Sequence, residues 1–327
     1  MKRLPAVATA LLLAAAPFGA AAAAIETQVE APGPSGALSG TMLAPAYAPH
    51  APLALIIPGS GAVDRNGDSG QAVAGSPYRR LAEALADLGV ASVRIDKRGM
   101  FGSAGAGDRS HATMADYAAD AHAWAATLRR GTGAPCVWLV GHSEGGLVAL
   151  VAAQAPADVC GVVLIAAAGR PLATILREQL TANPANAPVL GEALPALDRL
   201  EAGQHVDTSA MSPALLPLFR PAVQDFLIDQ MGYDPARLLA AYPGPVLVLQ
   251  GTSDLQVSMV DAERLAAARP GVTLVKIDGM NHVFKVAPRD MAANFATYAD
   301  PSLPLAPGLA EQIAAFVKAH PSASLRP

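Results

Sequence analysis

The sequence VWLVGHSEG occupies residues 137–145 and decides the predicted fold. Its first four residues are apolar and predict a buried strand, while residues 145–153 predict a helix. Between the two lies the pentapeptide G-x-S-x-G, whose small residues allow the chain to turn sharply from a strand into a helix. Such a turn lifts its serine above the edge of a sheet, so Ser143 is the predicted nucleophile.

Strand-like and helix-like segments alternate on both sides of this turn. A start punctuated by Pro and Gly, residues 31–40, precedes the alternation and carries no predicted element. Strands are predicted at residues 53–57, 90–95, 162–165, 245–249 and 273–277, and helices at 78–88, 113–130 and 309–319. This alternation predicts an α/β fold with a mostly parallel central sheet flanked by helices.

Residues 169–243 break the alternation. The segment is rich in proline and contains short helical stretches with apolar residues such as Leu215, Phe219 and Met231. We expect it to form a helical cap inserted into an α/β core that comprises residues 25–168 and 244–327. A cap of this composition is expected to roof an apolar pocket.

Residues 1–24 have the features of a secretory signal peptide. Two basic residues precede an apolar, alanine-rich run that ends at Ala24 in an A-x-A-like cleavage site. The alternative is a membrane anchor, but Pro17 and Gly19 interrupt the run and alanine makes a weak membrane span. The predicted location is therefore periplasmic or secreted, with no membrane span after cleavage.

Cys136 and Cys160 are the two cysteines of the chain, and each precedes a predicted strand. If those strands are parallel neighbours, both thiols lie at the same end of the sheet and can reach disulfide distance. An oxidising compartment would favour the bond. The alternative is a pair of buried free thiols that pack as small apolar groups.

A serine hydroxyl needs a base to act as a nucleophile, and the base needs an orienting acid. On this type of sheet the partners follow in the order Ser, Asp or Glu, His. His282 directly follows the last predicted strand, whereas the other histidines precede Ser143 or lie in the cap or the carboxyl-terminal tail. Asp254 follows the strand at 245–249 and is the predicted acid. Asp261 is expected to begin a helix, and Asp278 is close to His282 in sequence, which makes it a poorer orienting group.

Acyl transfer also needs N–H donors for the developing oxyanion. The backbone N–H of Glu144, directly after the nucleophile, is one predicted donor. The second should come from the loop after the strand at 53–57, with Ser60 as the first choice and Gly61 as the alternative. A simple tight turn would also explain the small residues of this loop.

With these residues identified, the chain from about Leu53 to the last helix resembles the α/β-hydrolase superfamily. It looks like the exported bacterial esterase-like hydrolases with a proline-rich cap. The motifs that carry the resemblance are PGSGAVDRNG at 58–67, DKRG at 96–99, GHSEG at 141–145, QGTSD at 250–254 and GMNH at 279–282. The resemblance implies Ser143 as nucleophile, His282 as base, Asp254 as orienting acid, and hydrolysis without a cofactor.

Four charged residues of the two loops after the first core strands have two possible roles. Asp64, Asp96, Lys97 and Arg98 could contact the substrate, but an ion-paired lock between adjacent loops is the favoured interpretation. The Glu144 carboxylate could likewise tune the site, or form a salt bridge within this cluster. Many relatives carry His-Gly where this chain has Pro58-Gly59, which leaves the second oxyanion donor open.

The expected function is hydrolysis of esters of short to medium uncharged acyl groups through an acyl-enzyme. The expected partner is a small-molecule ester, and no metal site or cofactor motif is evident. The net charge of −4 gives no reason to expect a nucleic acid as partner. A serine aminopeptidase-like peptidase is the alternative enzyme, and a non-catalytic binding protein on a hydrolase scaffold is the alternative of another class. The oligomeric state is left open.

Overall fold

A computed structural model of the protein describes residues 23–46 and 50–321. Residues 1–22 of the predicted signal peptide lie outside the described residues. Across the described ranges, no helix has the length and apolar character needed to cross a membrane.

The described strands form one eight-stranded sheet in the order β1-β2-β4-β3-β5-β6-β7-β8. Strands β1 and β2 form an antiparallel hairpin, β2 also pairs antiparallel with β4, and all other pairs are parallel. The predicted mostly parallel sheet is therefore confirmed. The strands are β1 Ile25–Pro32, β2 Ala37–Ala44, β3 Leu53–Ile57, β4 Ala91–Ile95, β5 Val137–His142, β6 Val159–Ile165, β7 Val246–Gly251 and β8 Val272–Ile277.

The hairpin formed by β1 and β2 was not predicted from the sequence. The prediction of a start without elements at residues 31–40 was wrong, because only residues 33–36 form a turn, in which the Gly33 N–H donates to the Gly36 carbonyl at 2.8 Å. Most side chains of β1 are exposed, since it is the outermost strand of the sheet. An edge strand without a buried face leaves little hydrophobic alternation in its sequence to detect.

Helices cover both faces of the sheet, because every side chain of the central strands is buried on one face or the other. Leu55 faces a core shared with α2, α3 and α9, whereas its neighbour Ile56 faces a core shared with α1 and α11. The helices outside the insertion are α1 Pro77–Asp87, α2 Met114–Thr132, α3 Glu144–Ala152, α9 Met259–Ala267, α10 Met291–Ala296 and α11 Leu309–Ala319.

The longest helix, α2, shows how local sequence sets the ends of an element. The Asp116 N–H donates to the Thr113 hydroxyl at 3.1 Å, and the Thr113 N–H donates to the Asp116 carboxylate at 3.0 Å. This reciprocal pair satisfies donors that a helix start otherwise leaves free. The helix stops at Gly133, whose φ of 74° lies in the left-handed region that glycine tolerates.

Five helices lie between β6 and β7, within the residues predicted to form the cap. Part of this insertion has its own small core, in which Leu197, Leu200 and Phe219 are completely buried. The helices are α4 Leu172–Ala182, α5 Leu190–Glu201, α6 Leu216–Phe219, α7 Pro221–Met231 and α8 Pro235–Ala241.

Cys136 and Cys160 form a disulfide with an S–S distance of 2.08 Å and a Cα–Cα distance of 5.1 Å. Cys136 directly precedes β5 and Cys160 lies near the start of β6, so the bond joins two parallel neighbours at the end of the sheet opposite to Ser143. The predicted pairing is therefore confirmed.

Candidate active site

Ser143 lies in the turn between β5 and α3 with φ 53° and ψ −119°. This strained backbone is tolerated because glycines on both sides make room for it. A Cβ atom added to Gly141 would lie 2.2 Å from the carbonyl oxygen of Gly145, and one added to Gly145 would lie 2.3 Å from the carbonyl oxygen of Ile57. The G-x-S-x-G pattern is thus required by the close approach of these backbones.

His282 and Asp254 meet in the buried interior, as predicted for a base and its orienting acid. His282 follows β8, Asp254 follows β7, and His282 Nδ1 lies 2.9 Å from Asp254 Oδ2. Because a carboxylate only accepts hydrogen bonds, Nδ1 carries the proton and Nε2 is left with its lone pair. Their side chains are 7% and 0% exposed.

The Asp254 carboxylate is held in its charged form. Burial alone would raise its pKa, but the charge and hydrogen bond of His282, together with backbone hydrogen bonds, outweigh burial and lower it. The N–H groups of Gln256 and Val257 add to this effect, since they donate to Oδ1 at 2.8 and 3.0 Å. The Gln250 amide donates to Oδ2 at 3.2 Å and so fixes the other oxygen.

The other acids considered from the sequence are engaged elsewhere. Asp261 is buried in the first turn of α9 and pairs with Arg170 at 2.8 Å. Asp278 accepts a hydrogen bond from the Thr252 hydroxyl at 3.1 Å on the surface. Only Asp254, of the three candidates, contacts His282.

A buried hydrogen-bond chain through His142 connects the loops of the site. His142 Nε2–H donates to the carbonyl oxygen of His282 at 3.0 Å, and the Tyr78 hydroxyl donates to His142 Nδ1 at 2.7 Å. The Gly59 N–H donates in turn to the Tyr78 oxygen at 3.0 Å. Burial lowers the pKa of His142 to about 3, and the nearby charge of His282 acts in the same direction, so the ring stays neutral.

His142 was not predicted to have a role, because a histidine that precedes the nucleophile is out of order for the base. Its ring centroid lies 4.7 Å from that of His282, so the residue before Ser143 packs directly against the predicted base. Within the part of the chain that the structure describes, the Ser143 hydroxyl makes no hydrogen bond to His282. Such bonds are often long in unliganded sites and shorten when substrate binds.

Ser60, Ser143 and Glu144 line one cavity of about 210 Å³. The loop that carries Ser60 approaches the nucleophile closely, since a Cβ added to Gly59 would lie 3.3 Å from the Ser143 Cβ. Among residues 23–46 and 50–321, no acceptor is found for the N–H of Ser60 or Glu144. Neither predicted donor is therefore taken up by another protein group among these residues.

The Glu144 carboxylate forms a buried ion pair with Lys97. Lys97 Nζ lies 3.1 Å from Glu144 Oε1 and also donates to the Gly59 carbonyl at 2.8 Å. The two side chains are 5% and 4% exposed. The pair thus ties the residue after the nucleophile to the loop of Ser60.

Of the remaining loop charges, Asp96 forms an ion pair between the two loops as the lock hypothesis predicts, whereas Arg98 pairs with α2 and Asp64 forms no ion pair in the described part of the chain. Asp96 pairs with Arg65 at 2.5 Å, which joins the two loops, and Arg98 pairs with Asp120 at 2.7 Å. The Asp64 carboxylate accepts N–H groups of its own loop, and none of the four predicted loop residues lines the cavity beside Ser143.

The walls of this cavity differ from the expected apolar roof. Leu172, Ile175 and Leu176 of α4 supply apolar surface, but polar side chains, including the amides of Gln179 and Gln230, line it as well. The apolar residues singled out in the sequence, Leu215, Phe219 and Met231, pack inside the insertion instead. These three residues therefore belong to the core of the insertion and do not line the cavity beside Ser143.

A larger cavity of about 580 Å³ lies at the opposite end of the sheet, beside the disulfide. Pro52, Thr132 and Trp138 are among its lining residues. None of the predicted catalytic or oxyanion residues lines it, so its size does not make it the candidate site.

The order of the strands, the turn at Ser143 and the position of His282 after the last strand define the class of protein. The chain has the α/β-hydrolase fold. A family profile, Hydrolase_4, described as serine aminopeptidase S33, matches residues 69–214, which is somewhat under half of the chain. No curated protein matches the sequence.

Solved structures of similar fold cover almost the whole chain. The esterase domain of a Rhodothermus marinus protein matches with a TM-score of 0.54 and 17% identity, over 90% of this chain and 98% of its own. Est1E from Butyrivibrio proteoclasticus matches with a TM-score of 0.55 and 15% identity, also over 90% of this chain and 98% of its own. The Pyrococcus furiosus esterase Pf2001 matches with a TM-score of 0.52 and 16% identity, over 90% of this chain and 93% of its own.

Proposed function

We propose that the protein is a serine hydrolase that cleaves carboxylic esters of short to medium acyl groups. One observation carries the proposal: the buried hydrogen bond between His282 and Asp254 forms at the same end of the sheet at which Ser143 is held in its strained turn. This is the arrangement that a serine, a base and an orienting acid need for acyl transfer.

In the proposed reaction, the Ser143 oxygen attacks the ester carbonyl while His282 Nε2 takes its proton. Asp254 keeps the imidazole in the correct tautomer and stabilises its charged form. The N–H groups of Ser60 and Glu144 bind the oxyanion. The imidazolium then protonates the leaving alcohol, and a water molecule, deprotonated by His282, cleaves the acyl-enzyme and regenerates Ser143.

The charge around the cavity favours an uncharged acyl group. Lys97 and Glu144 neutralise each other, and Arg170, which lines the cavity, is paired with Asp261. The volume of about 210 Å³ lies below the range typical of pockets for drug-sized ligands, which supports a short or medium acyl group. Two of the solved structures with this fold are named as esterases.

A serine aminopeptidase is the alternative activity, and the description of the matching family favours it. An aminopeptidase needs a carboxylate that is free to bind the ammonium group of its substrate. Glu144 lines the cavity beside Ser143, but its carboxylate is buried and committed to Lys97. This contact supports the esterase over the peptidase.

We infer that the protein acts in the periplasm or outside the cell. The predicted signal peptide motivates the inference, and the disulfide between Cys136 and Cys160 supports it, because such bonds persist in oxidising compartments. We also propose that α4–α8 act as a cap, since residues of α4 and α7 line the cavity beside Ser143.

A fluorophosphonate probe and two substrate panels test the activity. The mature protein should be labelled at Ser143 and should hydrolyse p-nitrophenyl esters faster than aminoacyl anilides, while Ser143→Ala should do neither. Labelling with turnover of the anilides alone would establish the peptidase instead. A protein that is neither labelled nor active on either panel would be a binding protein on a hydrolase scaffold.

A further inference from the structure

Gln230 is a buried polar residue of the insertion. It lies near the end of α7, it is 9% exposed, and it lines the cavity that contains Ser143. In the described part of the chain, its side-chain amide makes no hydrogen bond to any protein group. A buried amide without a partner is costly, so its presence calls for a ligand or a water molecule.

The contrast with Gln224, on the same helix, shows that this arrangement is specific to Gln230. Gln224 is 1% exposed, and its amide accepts from the Val206 N–H and donates to the carbonyls of Val206 and Phe219. Gln224 is therefore a structural residue of the insertion. Gln230 has no such role.

The amide of Gln230 keeps access to solvent despite its burial. The side-chain oxygens of Gln250 and Asn294 are fully occluded from solvent and have no hydrogen-bond partner among the described residues. The amide atoms of Gln230 are not fully occluded in this way. Because the residue lines the cavity, its remaining accessible surface faces the space beside Ser143. Tyr233, which follows the end of α7, lines the same cavity. Its hydroxyl has no hydrogen-bond partner among residues 23–46 and 50–321.

We propose that Gln230 is a specificity-determining residue that binds an uncharged oxygen of the acyl group, such as an ether, hydroxyl or carbonyl oxygen. The inference rests on the proposed ester hydrolysis. A neutral amide offers both a donor and an acceptor but no charge, so it distinguishes oxygen-bearing acyl groups from hydrocarbon ones. The apolar side chains of α4, Leu172, Ile175 and Leu176, would contact the carbon skeleton of the same acyl group.

Pairs of p-nitrophenyl esters that differ by one atom test this proposal. Heptanoate is compared with 5-methoxypentanoate, and hexanoate with 4-methoxybutanoate, because each ether replaces one methylene far from the reacting carbonyl. The measured quantity is the ratio of kcat/KM within a pair. Gln230→Met keeps the approximate volume of the side chain and removes the amide donor and acceptor, so it should lower the preference for the ether by about 3- to 10-fold.

Gln224→Met is the matched control. It should lower the Tm, because it breaks three hydrogen bonds inside the insertion, and leave the ratio unchanged. Gln230→Met should change the ratio and leave the Tm nearly unchanged. Gln230→Leu provides a second variant if Gln230→Met does not fold. A ratio that stays the same in the Gln230 variants would overturn the inference, as would a ratio that changes equally in the Gln224 control.

Labelling of Ser143 by a fluorophosphonate separates this inference from the proposed function. If Ser143 is labelled and esters are hydrolysed but the ratio does not respond to Gln230, only the inference fails. If Ser143 is not labelled and no ester is cleaved, the proposed function fails, and the role of Gln230 fails with it.

Discussion

The loops around Ser143 and the helical insertion differ in where their ion pairs lie. Around Ser143, the pairs of His282 with Asp254 and of Lys97 with Glu144 are buried. In the insertion, the ion pairs of Arg177 lie near the surface, and among the described residues the buried amide of Gln230 has no hydrogen-bond partner. In the proposed function, the core holds the reacting groups and the insertion selects the substrate.

Removing one partner of a buried ion pair is strongly destabilising, because it leaves the charge of the other partner uncompensated in the interior. Surface pairs are individually weak, so an insertion built on them can vary without loss of the fold. Mutations in the two regions should therefore differ in the size of their effects and in what they affect.

The largest effect is expected at Asp254, on the core side of the comparison. Asp254→Asn keeps the size of the side chain but removes the charge that holds His282 Nδ1–H in place. If the proposed function holds, we expect kcat for ester hydrolysis to fall by about 10⁴-fold, the loss found when the orienting acid of a Ser-His-Asp triad is changed to the amide. Steady-state kinetics on a p-nitrophenyl ester measures the loss, and Asp278→Asn, a change at the surface, is the control. A loss below tenfold would mean that Asp254 is not the orienting acid.

The second prediction concerns the buried pair of Lys97 and Glu144. Glu144→Gln leaves the lysine charge buried without its partner, so the free energy of unfolding should fall by about 3–5 kcal/mol. Urea denaturation measures the change. The double variant Lys97→Met/Glu144→Gln removes both charges and should recover much of the loss. If the losses of unfolding free energy caused by Glu144→Gln and by Lys97→Met alone add up to the loss in the double variant, the pair is not coupled.

The third prediction is a pH dependence of stability that arises from His142. Its pKa is lowered to about 3 in the folded protein, so the unfolded chain binds a proton there first as the pH falls. The stabilisation is fully present above the unfolded pKa near 6.5, and it is lost as the pH falls from there towards 3. The slope from this one group reaches about 1.4 kcal/mol per pH unit.

His142→Gln tests the assignment, because the amide can still donate to the His282 carbonyl but does not titrate. Urea denaturation between pH 6.5 and 4 should show a flatter dependence on pH for the variant than for the wild type. Acids such as Asp254 contribute to the acid sensitivity of both proteins, so only the difference between the two curves reports His142. Parallel curves would contradict the prediction.

The sequence predicted the parts of the site that depend on strand order. Ser143, Asp254 and His282 each follow a strand, and the order of the three residues along the chain limits their possible roles. The same reasoning could not find the chain of hydrogen bonds from Gly59 through Tyr78 and His142, because it joins residues that no local pattern connects. Tyr78 has the sequence signature of an ordinary apolar residue of α1, and its hydroxyl gains a role only after folding.

The insertion was less predictable than the sheet for a related reason. Its helices bury apolar residues against one another, so the sequence does not distinguish the residues of its own core, such as Phe219, from those that face the cavity, such as Leu176. The exposed hairpin strand β1 was missed because it lacks a buried face. Periodicity reports burial, and it does not report what a side chain is buried against.

The smallest effect is expected at Arg177, on the insertion side. It bridges Asp198 and Glu201 at 2.6 and 2.5 Å, distances as short as those of the buried pairs, but it is 32% exposed and its partners are 66% and 43% exposed. Solvent and salt screen such pairs, and ordering the long side chains offsets part of the attraction. Arg177→Ala should therefore change the free energy of unfolding by about 1 kcal/mol or less, with kcat unchanged.

The comparison of Arg177→Ala with Glu144→Gln, under the same urea denaturation, isolates burial as the cause, because both changes remove one charge from a short ion pair. Raising the salt concentration should narrow the difference between Arg177→Ala and the wild type, and it should have little effect on the loss caused by Glu144→Gln. A loss of several kcal/mol at Arg177 that is insensitive to salt would mean that the insertion depends on its surface ion pairs. The insertion would then tolerate fewer substitutions around Gln230 than its contrast with the loops around Ser143 implies.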